Sequence, residues 1–565
     1  ARCENKRLWD GPAATRPGTV LPDDFNPGFV NKIIGSAIYS APNGQEVMLV
    51  AEADSTFIWQ LQFGKDPIKV NLKSPYKTGP GRVELTQAYD KVVMLKRFTE
   101  GDPQLVWNGH TGNAAPDIFN PIVLSDDGLH LIPHTWFAES FENRVLYYYA
   151  YGVYLPGSPG PPIIPAQNWN TKFVLSDILD YTSYDDIYGA FTVSAAESDQ
   201  ITRLLGYQRG ALIVLMAHSV RMVENFTVDP TQTTQRVLTT TVGSVGNKVP
   251  LLVGRDRFFL SEPTGFYKLT QIVQDEIAAE PIPISMPIQP IIDRINWERR
   301  DSLGLDFVAC SAVLGVYCFF AVPLDGKSGA NDAILVYNAA TQQWESAPDW
   351  WDDADFRIDA LHVTRYNQAR RLFGLDYAAK KIYLLYDGTT DNINGKTLTI
   401  KDTIETRGYV AGDPGAFKRF DRTLIGLTTV NPQITVTAIS DGVGEEKHIA
   451  TFTKDPTASY VHGRGPTIVD PAAPKLQDYS GAGLGEFVGQ DFEGLVVGSI
   501  TELPAVVGAG GSGFLAPAQQ TLERFKLRTT GRWCSIRVEN TRGNCNIGGV
   551  AVEGIPVRET VKVVA

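Results

Sequence analysis

The chain has 565 residues, too many for one ordinary core and enough for two to four domains or one large repeat architecture. Its composition, 43% apolar and 20% charged, is that of a globular protein, and no apolar run approaches the roughly 18–20 residues that cross a bilayer. A formal net charge of −12 argues against a protein whose task is gripping nucleic acid, because phosphate affinity comes mainly from Lys and Arg; nucleic acid sliding past it is still allowed.

Fifty-two glycines, 35 prolines and 10% aromatics suit many short strands joined by turns, so the expected class is mostly β. The opening "ARCENKRLWDG" has no signal-peptide pattern. Five cysteines, Cys3, Cys310, Cys318, Cys534 and Cys545, form neither a disulfide framework nor a zinc spacing, which points to synthesis in a reducing compartment.

In chain order, residues 1–25 read as an N-terminal arm. From 26 to 400 a strand–turn–strand pattern recurs: "EVMLVAEADSTFIWQLQFG", "KVVMLKRFTEGDPQLVWNG", "GALIVLMAHSVRMVEN", "RDRFFLSEPTGFYKL", "VYCFFAVPLDGKSGANDAILVYNAATQQW" and "RRLFGLDYAAKKIYLLYDG". Measured from Met48, Val93, Ile213, Phe258, Tyr317 and Leu372, the offsets are 45, 120, 45, 59 and 55 residues. "ENRVLYYYAYGVY" and "TKFVLSDILDYTSYDDIYG" supply one or two more units in the long gap. A four-stranded unit at such a period predicts a β-propeller, in which Trp344 packs between blades; stacked β-sandwiches are the alternative. "SDQITRLLGYQRG" predicts one short helix capped by Ser198 or Asp199. "LPGSPGPPIIPAQNWN" predicts a proline-rich surface loop over 155–170. Residues 401–565 read as a C-terminal β region carrying a long irregular loop over 454–520.

Candidate chemistry is sparse. "VGAGGSG" has the G-x-G-x-x-G spacing, but Pro517 follows where a helix should start, so it reads as a loop. "DWWDDADFRID" places Asp349, Asp352, Asp353, Asp355 and Asp359 beside Trp350 and Trp351, which suits either a glycan site or a solvated blade loop. "DGTTDNING" lacks calcium-loop spacing and reads as a polar hairpin loop. The seven histidines do not cluster, and Pro133 prevents His130 and His134 from sharing a helical face. His218 reads as a strand-end residue. No catalytic, cofactor-binding or metal residue is assigned.

The succession "FENRVLYYY", "FVLSDILDYTSYD", "ESDQITRLLGYQRGALIVLMAHSVRMV", "TTTVGSVGNKVPLLVGRDRFFLSEPTGFYKL", "AILVYNAATQQWE" and "ETRGYVAGDPGAFKRF" resembles the β-propeller tail nozzle, or packaged-DNA stabilisation, proteins of short-tailed bacteriophages. "CENKRLWDGPAATRPGT" is similar to their N-terminal segment. The resemblance covers Cys3 to Phe420 and, more thinly, the C-terminal strands. It implies a virion structural protein, made in the host cytoplasm, with six copies in a ring below the portal and adaptor. DNA would leave through the channel without specific binding, and no enzyme activity or cofactor is implied. A propeller enzyme acting on glycans and a receptor-binding tail protein are the competing expectations; a WD-type hub would need the "GH…WD" signature, which is absent.

Overall fold

In a computed structural model, residues 2–7, 13–96, 104–109, 118–121, 133–153, 164–165, 171–184, 189–193, 199–208, 210–226, 232–271, 277–279, 282–300, 306–325, 331–410, 418–440, 447–453 and 519–556 are described. They form a propeller-like ring of small antiparallel sheets plus a further β sheet built from the C-terminal region. Among the described residues the ring has seven blades, spanning 33–71, 83–121, 133–192, 201–239, 251–279, 310–350 and 360–385. Met48, Val93, Ile213, Phe258, Tyr317 and Leu372 all fall on the second strand of their blade, and the 120-residue gap holds one blade rather than two.

The apolar runs follow from where each strand sits. Glu46–Glu52 is buried along its whole length because both of its faces meet a neighbouring blade. Val47, Leu49 and Ala51 pack toward the second blade with Leu85, Met94 and Trp107. Met48 and Val50, pointing the other way, pack toward the seventh blade with Phe373 and Leu384. Each of the seven interfaces between blades has its own apolar cluster of this kind. Trp344 lies at the interface of the fifth and sixth blades: its ring centroid is 5.5 Å from that of Phe266, and its Nε1 donates to the Ile284 carbonyl at 2.9 Å.

Turns are set by side chains of the Asx type. Asn338 Oδ1 accepts from the backbone N–H groups of Ala340 and Thr341, which shapes "NAATQ" and returns the chain to Trp344. Asp376 Oδ1 does the same for Ala378 and Ala379 in the seventh blade.

The expected helix after Asp199 is not formed. Ile201–Gln208 is the inner strand of the fourth blade, paired with Ala211–Met216, and it accommodates its irregular apolar spacing with two register shifts. Blade packing overrides a weak helical pattern here. Asp199 caps no helix; its carboxylate accepts from His218 N–H and the Ser219 hydroxyl, and His218 itself is exposed between strands.

Of residues 1–25, expected as an arm, the described stretches 2–7 and 13–25 lie against the fold rather than apart from it. Thr19–Val20 pairs with Lys381–Leu385 as the fourth strand of the seventh blade, closing the ring between the two ends of its sequence, and the Asp391–Leu398 hairpin continues that sheet on its far side. Gly18 passes so close to Thr390 that a Cβ would run into the Thr390 carbonyl. Arg2–Glu4 bridges Gln343–Trp350 of the sixth blade and Asp402–Glu405, which in turn pairs with Cys534–Pro556. The sixth blade and the C-terminal sheet are therefore one hydrogen-bonded sheet.

In that sheet, Lys418–Ser440 and Cys534–Pro556 pair over 23 residues each, with register shifts that mark bends. Lys447–Thr453 and Gln519–Gly531 lie end to end along the other edge of Lys418–Ser440: Thr453 opposes Gln433 and Gln519 opposes Thr429. The 65 residues between them (454–518) leave and rejoin one edge only four positions apart. The irregular loop expected over 454–520 and "VGAGGSG" lie outside the described residues, except that Gln519 and Gln520 already belong to a strand. The proline-rich 155–170 segment also lies outside them, save Ile164–Pro165, which pairs with Arg144–Val153.

Candidate functional site at the propeller axis

The inner strands of the blades start at a common rim around the axis, where residues just before or at their beginnings enclose a cavity of about 300 Å³. Its charged lining comes from five segments: Lys32; Arg82; Lys248; Arg300 and Asp306; Arg357 and Asp359. Ile34, Pro80, Phe307 and the Tyr377 ring add apolar surface.

Several of these groups are held rigidly. Arg82 reaches Asp306 at 3.1 Å, Glu84 at 3.0 Å and Asn247 Oδ1 at 3.3 Å, and its guanidinium lies 5.0 Å from the Phe137 ring centre. The backbone of Lys248 is fixed by Ser311, whose N–H and hydroxyl both donate to its carbonyl at 3.1 Å. Lys248 Nζ stands 5.7 Å from the centre of the Tyr377 ring. Arg357 Nε lies 3.3 Å from the buried Asp376 carboxylate.

Beside the cavity, Ser36 Oγ lies 2.8 Å from His362 Nε2 and 3.0 Å from the Tyr377 hydroxyl. His362 keeps a little exposure but is closely surrounded by protein. Burial, helped by the positive charge of Lys248, holds its pKa down to about 4, so the imidazole is neutral at pH 7. A Ser–His contact can in principle activate a hydroxyl, but so weakly basic an imidazole is a poor proton acceptor, and among the described residues no carboxylate hydrogen-bonds it.

The acidic cluster around residue 350 is dispersed by the fold. Asp349 is buried and ion-paired with Arg7 and accepts from the Tyr386 hydroxyl at 2.8 Å. Asp352 meets Lys401 at 2.7 Å and Asp353 meets Lys396 at 3.4 Å, while Asp353 also accepts from the Asp355 N–H. Trp350 and Trp351 donate to Glu4 and Thr19, so both serve the N-terminal segment. Asp359 alone faces the axial cavity. Burial raises its pKa, opposed by the Tyr377 N–H and by Arg357, Lys248 and Lys32.

"DGTTDNING" forms a hairpin in which Asn394 and Gly395 take positive φ at the turn, and its Asp391 is held by Arg16. All five cysteines are free, and burial pushes each thiol up to about 12, which leaves them protonated and unreactive at neutral pH. Sequence reasoning missed the axial residues because their link is purely spatial: Ser36 and His362 are 326 positions apart. A polar residue inside each of the apolar strands "IIGSAIYS" and "ALHVTRY" is the one local signal.

No family model matches the chain, and no curated protein matches it. Solved structures similar to it include the computationally designed Ika8 protein (12% identity, 64% of this chain and 98% of that one, TM-score 0.34). Another is BBS1N in complex with ARL6DN (10% identity, 66% and 97%, TM-score 0.35). A third is a glycoside hydrolase (10% identity, 94% and 100%, TM-score 0.26). Likenesses this weak assign no activity. The flat expectation of no enzyme activity is corrected on the fold itself: a propeller-like ring of small sheets can host either a structural or a catalytic role, and the fold excludes neither.

Proposed function

We propose that this protein is a structural component of a bacteriophage tail, a ring or nozzle below the portal and adaptor that retains packaged DNA and conducts it during ejection. The reading starts from the ordered phrases between Cys3 and Phe420. The observation that carries it furthest is the N-terminal segment, which joins the propeller edge and the C-terminal sheet in one hydrogen-bonded sheet. A part that bears the pressure of packaged DNA needs its lobes rigidly coupled, and strands paired across the junction resist shear. The axial cavity of about 300 Å³ is far too small for a duplex, whose major groove alone is about 12 Å wide, so a channel would run between copies in a ring. Electron microscopy of the purified chain, alone and with a portal–adaptor assembly, tests this: six-fold rings with a central channel are expected, and single particles that ignore the portal at high concentration would refute it.

One observation favours a glycan-active enzyme as the second reading. Two carboxylates, Asp306 and Asp359, face one cavity; Asp306 is ion-paired with Arg82, while Asp359 is held above the ordinary carboxylate range. Unequal carboxylates are what acid–base glycoside hydrolysis uses. Release of reducing ends from surface polysaccharides, abolished by Asp359→Asn, would establish it; no release from any polysaccharide tested would set it aside.

A further inference from the structure

We propose that the axial cavity is a binding site for a small organic anion, a phosphate ester or carboxylate, seated on Lys248 with Lys32 and Arg357 around it. Neither reading above assigns an anion to this cavity, although the second places its two carboxylates in the same lining; the inference rests on neither.

Charge imbalance is the first argument. Five cations, Lys32, Arg82, Lys248, Arg300 and Arg357, share the cavity with two carboxylates, Asp306 and Asp359, in a chain whose net charge is −12. Arg82 is neutralised by Asp306 and Glu84, Arg357 is matched by Asp376 and Arg300 lies 3.7 Å from Glu262, which leaves Asp359 as the one cavity carboxylate whose charge Lys32 and Lys248 share. Lys32 and Lys248 have no acidic partner within 4.0 Å among the described residues. Lys248 is only partly exposed. Lys32 and Arg300 are exposed, but holding the partly buried Arg82, Lys248 and Arg357 side by side where water is restricted costs free energy, and a bound anion offsets that cost.

Construction is the second argument. Lys248 is not a loose surface lysine: Ser311 anchors its carbonyl with two hydrogen bonds, and its ammonium stands over the Tyr377 ring. Phe307, Pro80 and Ile34 supply an apolar wall beside the charges, suited to the carbon skeleton of an organic anion rather than to a bare ion. About 300 Å³ lies at the lower end of the range for small-ligand sites.

The test is calorimetric titration of the full-length chain with glucose 6-phosphate, glucuronate, inorganic phosphate and glucose. Saturable binding of glucose 6-phosphate or glucuronate is expected, weaker binding of phosphate, and none of glucose; the better of the first two identifies the headgroup. Lys248→Gln should weaken the best ligand by about 10- to 100-fold, the value of a charge-assisted hydrogen bond. Lys69→Gln, on the outer strand of the first blade and not part of the cavity lining, should leave it unchanged, with circular dichroism confirming that both variants fold. Lack of saturation by every anion, equal binding of glucose, or full affinity in Lys248→Gln would each overturn the site.

Discussion

Arg16 and Asp391, 375 residues apart, form a buried bidentate ion pair, with Nη1 and Nη2 at 3.0 and 2.7 Å from the two carboxylate oxygens. The remaining guanidinium hydrogens go to Asn5 Oδ1 and to the carbonyls of Pro17 and Trp350, so all five donors are used. The guanidinium also lies 4.8 Å from the centre of the Trp351 ring. Two further cations of the N-terminal segment are buried likewise. Arg7 pairs with Asp349 in the sixth blade, and Lys6 meets Asp402 and the Cys545 carbonyl, each at 2.7 Å. Three cations thus pin one short segment to two blades and the C-terminal sheet.

Truncating one partner of such a pair strands a buried charge. Arg16→Ala or Asp391→Ala should each cost about 3–5 kcal/mol. Arg16→Met combined with Asp391→Leu should recover much of that loss, because both charges then leave together. Urea denaturation of the three variants decides it; a double variant as unstable as the worse single one would contradict the account.

Ring closure depends on Gly18. Gly18→Ala forces a Cβ against the Thr390 carbonyl and should loosen the strand Thr19–Val20 from the seventh blade. Amide exchange at Leu384 and Leu385, the partners of that strand, should accelerate, while exchange in the second blade stays slow.

Asp376 and His362 should move stability with pH in opposite directions. Burial lifts Asp376 from 3.8 to about 6, so the folded state binds its proton more tightly than the unfolded state; stability present below pH 4 is lost as pH rises through 6. A shift of about two units corresponds to about 3 kcal/mol. Asp376→Asn keeps the turn, which Asn338 already builds in the sixth blade. It should therefore be more stable than the parent at pH 7, with little difference at pH 4.

Burial lowers His362 from 6.5 to about 4, so the unfolded state takes up the proton first and stability falls as pH drops from 6.5 toward 4. His362→Gln should remove that acid-side loss. Denaturation at closely spaced pH values separates the two effects, and matching slopes in parent and variant would disprove either assignment.

Trp344 joins the fifth and sixth blades by packing and by one hydrogen bond. Trp344→Phe should cost about 1 kcal/mol for the lost donor, plus what its smaller ring forfeits. Trp344→Ala should cost about 3–5 kcal/mol. Equal costs, measured by denaturation, would place the tryptophan outside the interface.

The amino-acid sequence by itself determined the blades, because that information is local. A central strand such as Glu46–Glu52, packed on both faces, must read as an unbroken apolar run, and the Asx residues that turn the chain lie beside the strands they connect. The same local reading failed at Ile201–Gln208, where irregular apolar spacing resembled a helix until pairing with Ala211–Met216 decided the matter. Only the tertiary structure decided what residues 1–25 and the acidic cluster do. Asp349 is a buried ion-pair partner and Asp359 a cavity wall, although both stand in one short phrase. The axial site was illegible for the same reason. Closing the ring brings Lys32, Arg82, Lys248, Arg300 and Arg357 together, and no spacing along the chain records a neighbourhood created by closure.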